Sequence, residues 1–249
     1  MEDGLGFVEL VESFGNDLTV VNAARVSFNK ESVFQRVEHA DGSLSFELSD
    51  RDTKLVNFLA EHDHVTPFFH PQVRLRIKMP IFVAREWYRS TIGFARNEVS
   101  RRYVTTEFEF FVPKELRARD KNVKQGSRDE AVANNDLLVA QMSKYCREAL
   151  EYYHYLLDVE QVCPEQARMV LPQSMYTEFI ETASIAGYAR LVNLRLERAA
   201  QKEIRMYAQA VANIIEPLFP ASWKALIKVQ NREMLMSTIN GAVRAASME

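Results

Sequence analysis

Residues 85–102 read REWYRSTIGFARNEVSRR and hold five arginines, at 85, 89, 96, 101 and 102. The chain around them has 31 basic and 34 acidic residues, a formal net charge of −3, so this is a local positive site on a slightly acidic protein. A guanidinium offers a rigid fork of donors that matches phosphate and carboxylate two bonds at a time. Asn97, Glu98 and Ser100 lie inside the run and could read a polar ring beside a phosphate. The same composition also suits a solvated arginine face laced with helical ion pairs, and spacing alone leaves both readings open. A nucleic-acid groove is a third reading, but the run lacks the regular basic and aromatic alternation of such grooves.

A second group of arginines follows at 168, 190, 195, 198 and 205. Arg195 sits in an apolar setting, LVNLRL. If that stretch is helical, its neighbours three and four residues away are Leu191, Val192, Arg198 and Ala199, none of them an acid. A half-buried arginine needs an anionic partner from elsewhere. Glu178 or Glu181 could supply it, and so could a bound anion. His62, His64 and His70 cluster in HDHVTPFFH, which raises a metal site as a question. No cysteine or carboxylate pattern accompanies them, so packing or ligand contact at a helix end is the expectation, with no metal. Cys146 and Cys163 form no C-x-x-C pair and stand far from the arginine run, which argues against a disulfide scaffold, a cysteine zinc site and a cysteine nucleophile. The chain has no G-x-S-x-G, no G-x-G-x-x-G and no P-loop, so a nucleotide cofactor would bind without a Rossmann domain.

The elements that must position these groups can be sketched from pattern. Residues 72–79 (QVRLRIKM) alternate strictly, with Val73, Leu75, Ile77 and Met79 on one face and Arg74, Arg76 and Lys78 on the other, as in a half-buried strand. Residues 103–112 (YVTTEFEFFV) are β-rich and predict another strand. Asp50 is placed to cap a helix over 52–63, and Pro80 to start one carrying Phe82, Val83, Trp87 and Tyr88. Three- and four-residue spacing marks long helices around 138–156 and 204–215, with a third at 187–196. Residues 113–130 are almost wholly polar and predict a surface loop, too long to be idle inside a compact domain. The fold class inferred is α+β: a curved antiparallel sheet flanked by helices, a helical C-terminal half and no Rossmann domain. With 249 residues, 47% hydrophobic and 26% charged, residues 1–249 are read as a single domain. An acidic start, no run of about 18 apolar residues and sparse cysteine suit a reducing cytoplasm without a membrane partner.

Taken in order, these segments resemble the flavin-dependent thymidylate synthase family. Residues 23–28 (AARVSF) look like its early A-R-V-S motif, and residues 55–70 (LVNFLAEHDHVTPFFH) are similar to its L-x-x-x-L-x-x-x-x-H-x-T-P-F-E-H stretch. Residues 85–103 resemble the signature R-Q-W-x-R-H-R…N-E-x-S-x-R-Y, and residues 166–179 and 191–208 match its C-terminal blocks. NEVSRRYV together with NVKQGS resembles a branch found in viruses and phages, for which the location would be a host cytoplasm.

The resemblance implies methylation of dUMP to dTMP, with methylenetetrahydrofolate supplying the carbon and NADPH reducing a bound FAD. It implies a homotetramer with sites at subunit interfaces, no nucleic-acid partner, and no enzyme cysteine as nucleophile. It places Glu86, Arg89, Glu98, Ser100, Arg101, Arg102, Arg168 and Arg195 around dUMP, with Ser100 and Arg102 near phosphate and Arg195 as the catalytic cation beside the uracil ring. It places Ser27, Thr66, Ile92, Ser184 and Arg190 toward FAD. Several positions depart from the pattern: Glu86 replaces a glutamine, Phe69 a glutamate, and Ser90-Thr91 the signature's His-Arg. Asn97-Glu98 come one residue late, Ser184 and Ala186 stand where Asn and Arg are common, and Arg190 stands one turn from the lost arginine. Two alternatives stay beside this reading: a pyrimidine-nucleotide hydroxymethylase, and a non-catalytic nucleotide- or nucleic-acid-binding relative.

Overall fold

A computed structural model describes residues 1, 3–105, 108–120, 127–197, 199–232 and 235, with Asp129 described by its backbone alone. The chain begins with β1 (Phe7–Phe14), α1 (Asp17–Arg25), the hairpin β2 (Gln35–Glu38) and β3 (Leu44–Glu47), and α2 (Asp50–Glu61). Next come β4 (Gln72–Pro80), α3 (Ile81–Trp87), β5 (Phe94–Glu98) and a second hairpin, β6 (Arg117–Arg119) and β7 (Ser127–Ala131). The remainder is α4 (Asn135–Asp158), α5 (Pro164–Ala167), β8 (Tyr176–Ser184), α6 (Ile185–Arg195), α7 (Lys202–Ile215) and α8 (Pro220–Leu226).

The main sheet is antiparallel in the order β1-β4-β8-β5. The alternation of β4 survives: Val73, Leu75, Ile77 and Met79 are fully buried, opposite Ala183, Glu181, Phe179 and Thr177 of β8. That face takes the helices, with Val20, Val21, Val56, Leu191, Val192, Ile204, Val211 and Trp223 in one continuous core. The other face stays polar; Arg74 meets Glu12 at 2.7 Å, and Arg76 pairs with Glu178. The mixed α and β class with an antiparallel sheet is as the sequence implied.

Three local expectations are corrected. The described residues of 103–112 form no strand: a turn runs through Tyr103, residues 106 and 107 lie outside the described residues, and among the rest only Phe110 bridges to Met175. The backbone there is tied instead to the turn before β8, by Phe111 N–H to the Ser174 carbonyl at 2.8 Å and Tyr176 N–H to the Glu109 carbonyl at 2.9 Å. The cap of α2 is Ser49, whose Oγ accepts from Asp52 N–H at 3.1 Å, which leaves Asp50 inside the first turn. The polar stretch 113–130 is partly a hairpin, because β6 and β7 pair with each other; residues 121–126 lie outside the described residues. Its polarity reflects a two-stranded element with no buried face of its own, which alternation cannot reveal.

Asp17 joins α1 to α8. It is buried on α1, and its carboxylate accepts from the N–H groups of Ala221 and Ser222 at 2.8 and 2.9 Å, satisfying the exposed donors that start α8. Asp17→Ala is expected to lower unfolding free energy by about 2 kcal/mol or more through loss of a charge-assisted cap. Equilibrium urea denaturation checks this, and an unchanged midpoint would show that the cap carries no weight.

Candidate active site

Arg195 is the last residue of α6 and is only 8% exposed. Its guanidinium crosses to the last turn of α3, where Nη1 donates to Glu86 Oε1 at 2.6 Å and Nη2 to the Glu86 backbone carbonyl at 2.8 Å. A cation therefore sits against the carbonyl ends of two helices, which favour positive charge. The partner is neither of the acids suggested by sequence: Glu178 is engaged by Arg76 and Glu181 by Arg96. Arg195 Nε is buried with no hydrogen-bond partner among the described residues. A buried unpaired donor is costly, so any acceptor that reaches it gains free energy.

Arg195 lies on the wall between two cavities. The larger, about 870 Å³, is cationic: Arg85, Arg89, Arg117, Arg195, Lys202 and Arg205 face Glu86 and Glu197. The β6–β7 hairpin closes one side of it. Arg117 donates to both carboxylate oxygens of Glu203 on α7 at 2.7 and 3.0 Å, and its Nε to Ser127 Oγ at 2.8 Å. Burial opposes charge on Glu203, but these bonds prevail and hold its carboxyl below the usual range. Arg89 and Arg195 also line a smaller cavity of about 300 Å³ with Ser90, Ile92, Phe94 and Arg190. Adjoining it, a space of about 650 Å³ is walled by Val65, Phe69, Ile92 and Leu194, with Arg190 and Lys228 at its polar side.

The other expected substrate residues gather elsewhere. Glu98, Arg101 and Arg168 line a separate cavity of about 490 Å³ that shares no lining residue with the Arg195 cavity. Glu98 accepts from Thr177 Oγ1 at 2.5 Å, and Arg101 lies over the Phe108 ring at 4.6 Å. Ser100 Oγ accepts from Arg102 N–H at 3.3 Å, while Arg102 Nε meets Glu165 at 2.8 Å. Within one chain, Glu86, Arg89 and Arg195 thus form one group, and Glu98, Ser100, Arg101, Arg102 and Arg168 form another.

Between them lies an ion pair inside the core. Glu181 has no exposure, and its carboxylate is bonded by Arg96 Nε and by Trp87 Nε1 at 3.2 Å. Arg96 is also flanked by the rings of Phe94 at 4.6 Å and Tyr88 at 5.3 Å. Burial pushes the Glu181 carboxyl above its usual range although Arg96 pulls the other way.

The expected flavin residues are dispersed. Ile92 and Arg190 line both smaller cavities. Thr66 begins a short turn whose last residue, Phe69, walls the larger of the two. Ser27 is exposed in the turn after α1 and lines neither. Ser184 is buried and caps α6, its Oγ accepting from Gly187 N–H at 3.2 Å. Arg198 lies outside the described residues. His62 stacks on Phe58 at 4.1 Å, and no group of metal-binding side chains occurs among the described residues. Neither cysteine lines these cavities. The sequence reading missed Arg117, Gln173 and Lys202 as cavity residues. Arg117 sat in a stretch read as loop, and no periodic signal marked it.

The family described as "Thymidylate synthase complementing protein" matches residues 9–221. The chain belongs to this family. Its relatives include proteins named flavin-dependent thymidylate synthase. One from Thermus thermophilus is 36% identical over 220 residues, 88% of this chain and 75% of that protein. One from Thermotoga neapolitana is 35% identical over 223 residues, 90% of this chain and 91% of that protein. Among solved structures, the UMP/dUMP methylase PolB from Streptomyces cacaoi bound with 5-Br dUMP has a TM-score of 0.73 at 28% identity, covering 88% of this chain and 94% of that one. The same protein bound with 5-Br UMP gives 0.74 at 28% identity, covering 88% of this chain and 92% of that one. As a member of the flavin-dependent thymidylate synthase family, the chain is an enzyme of the methyltransferase type. No helix among the described residues is long and apolar enough to cross a membrane.

The donor set fits a flavin. Val65, Phe69, Ile92 and Leu194 are apolar walls left 39%, 47%, 69% and 47% exposed, the kind of surface a flat ring would cover. Arg190 and Lys228 are the cations in reach of an anionic chain on it.

Arg96→Ala should destabilise the protein by about 3–5 kcal/mol by stranding the Glu181 carboxylate. The sign with pH follows: a group whose carboxyl is raised in the folded state favours folding in acid and loses that contribution as pH rises. The deficit of Arg96→Ala should therefore be smallest in acid and grow toward neutrality, and Glu181→Gln in the same chain should remove most of the pH dependence. Thermal melts across pH check both.

Proposed function

We propose that this chain converts dUMP to dTMP: dUMP, methylenetetrahydrofolate, NADPH and a proton give dTMP, tetrahydrofolate and NADP⁺. The observation that carries the reading is the shared wall. Arg89 and Arg195 border both a cationic cavity large enough for a nucleotide and a smaller arginine-lined cavity, which shares Ile92, Arg190 and Leu194 with the adjoining apolar-walled space suited to a flat ring. Bound FAD would supply the hydride chemistry between nicotinamide and the transferred carbon.

The chain's own residues hold and polarise. Arg195 is to face the uracil ring, where its fixed cation stabilises the negative charge that builds on a ring carbonyl; Nε is the donor still unused there. Arg89 contributes further positive charge toward the nucleotide. Val65, Phe69, Ile92 and Leu194 exclude water on the flavin side, and Arg190 and Lys228 are placed to hold the anionic part of FAD. Thr66, Ser27 and Ser184 are the further expected FAD positions, Ser184 through its place at the start of α6. Glu98, Ser100, Arg101, Arg102 and Arg168 are to grip the nucleotide, Ser100 and Arg102 at the phosphate.

The split between the two residue groups supports a homotetramer in which the Glu98 group of one copy completes the Arg195 cavity of another. The working location is the cytoplasm, with no nucleic-acid partner.

Purified protein supplied with FAD should be yellow and should release tritium from dUMP labelled at ring carbon five when methylenetetrahydrofolate and NADPH are present. Product mass should show a methyl group; a hydroxymethyl product, turnover of UMP in preference to dUMP, or a colourless inert protein would each refute the assignment as written. Arg195→Ala should lower kcat by about 100-fold or more with the fold intact. Arg102→Ala should raise the Kd for dUMP by about 10-fold.

A further inference from the structure

The Arg195 guanidinium is held twice by one residue, and the two holds differ in kind. The Nη2 bond goes to the Glu86 backbone carbonyl and survives any substitution at that position. The Nη1 bond goes to the Glu86 carboxylate, which brings both a geometric anchor and a negative charge. Glu86 is the acid in contact with Arg195, since the other carboxylate of the cavity, Glu197, lies 3.8 Å from Lys228. Around the pair stand Arg85, Arg89, Lys202 and Arg205. Resting on the reading that this cavity takes an anionic pyrimidine nucleotide, we propose that Glu86 is a positioning residue that does two separable things. It fixes the direction in which Arg195 points, and it holds down the positive charge with which the cavity attracts its ligand.

The physical reason is that a carboxylate lowers the local potential by about one full charge, whereas a neutral amide of the same shape does not. Glu86→Gln keeps an Oε1 acceptor for Nη1 and removes the charge. Glu86→Ala removes both. Glu86→Asp keeps the charge but shortens the reach. The Oε1 acceptor therefore anchors the arginine, and the negative charge separately lowers the affinity for an anionic ligand.

The test uses the FAD-loaded enzyme. In calorimetry with dUMP, Glu86→Gln should bind about fivefold tighter than the parent, with a steeper loss of affinity as salt rises. Its kcat should fall less than that of Glu86→Ala. Glu86→Ala and Glu86→Asp should both lose about 10-fold or more in kcat, beyond any change in KM, at melting temperatures close to the parent. Crystal structures of the variants without nucleotide supply a readout independent of the ligand's identity: Arg195 should keep its place in Glu86→Gln and move away from α3 in Glu86→Ala. Equal kcat in Glu86→Gln and Glu86→Ala, or an unmoved Arg195 in Glu86→Ala, overturns the positioning role. Parent enzyme that does not bind dUMP, with Arg195 still displaced in Glu86→Ala, instead overturns the choice of ligand and leaves the anchoring role standing.

Discussion

A carboxylate without solvent lies in the middle of this fold. Glu181 occupies a core-facing position of β8 where its cross-strand neighbour on β4 is Leu75, and an uncompensated charge there would be intolerable. Arg96 on β5 and Trp87 at the end of α3 satisfy it. Because the partners come from an edge strand and from the helix that follows β4, satisfying one buried acid fixes three elements against one another. Glu98 follows Arg96 by two residues on the same face of β5, and Glu86 directly precedes Trp87. The two groups of site residues are thus placed by the same buried interaction. Apolar residues of similar size could fill the space with comparable stability, but they would not demand a particular strand and helix as partners.

The site repeats that logic nearer the surface. Arg195 closes the ends of α6 and α3, Arg117 ties the β6–β7 hairpin to α7, and Asp17 ties α1 to α8. In each case a charged side chain meets unsatisfied groups at a helix end or an opposite charge on another element. These contacts tie Arg195 and Arg117 to neighbouring elements while both still line the cavity. On the proposed function, such an arrangement would supply the preorganisation that electrostatic catalysis needs, with the charge in place before the reaction begins. The departure at position 86 belongs in that context. A glutamate in contact with Arg195 changes the potential of the cavity while leaving its shape nearly as a glutamine would.

Much of this protein was legible in its residues. The alternation in β4, the three-and-four spacing of α7 and the span of α6 are set by burial of one face, and that pattern is written locally; α4 has the same spacing but buries only Cys146 and Tyr153. The ordered motifs named the family, because their residue types and order are those the family's chemistry requires. The arginine runs raised an anionic ligand as one reading among several, and spacing alone did not choose between them.

Other features were decided only by the folded chain. β8 and β5 gave no clear local signal, since one carries a glutamate and the other an arginine toward the core, each tolerable only because the other is there. Their contact spans 85 positions of sequence, and the Arg195–Glu86 contact spans 109. The stretch 103–112 has strand composition, yet its Glu109 and Phe111 are held by backbone bonds to the turn before β8. Most plainly, Arg89 and Glu98, nine positions apart in one signature, face different cavities, because the turn leading into β5 carries the chain from one to the other. Residue type and local spacing fix which faces are buried and which charges exist; only long-range pairing fixes which charge meets which, because that depends on strand order and helix ends brought together from distant parts of the chain.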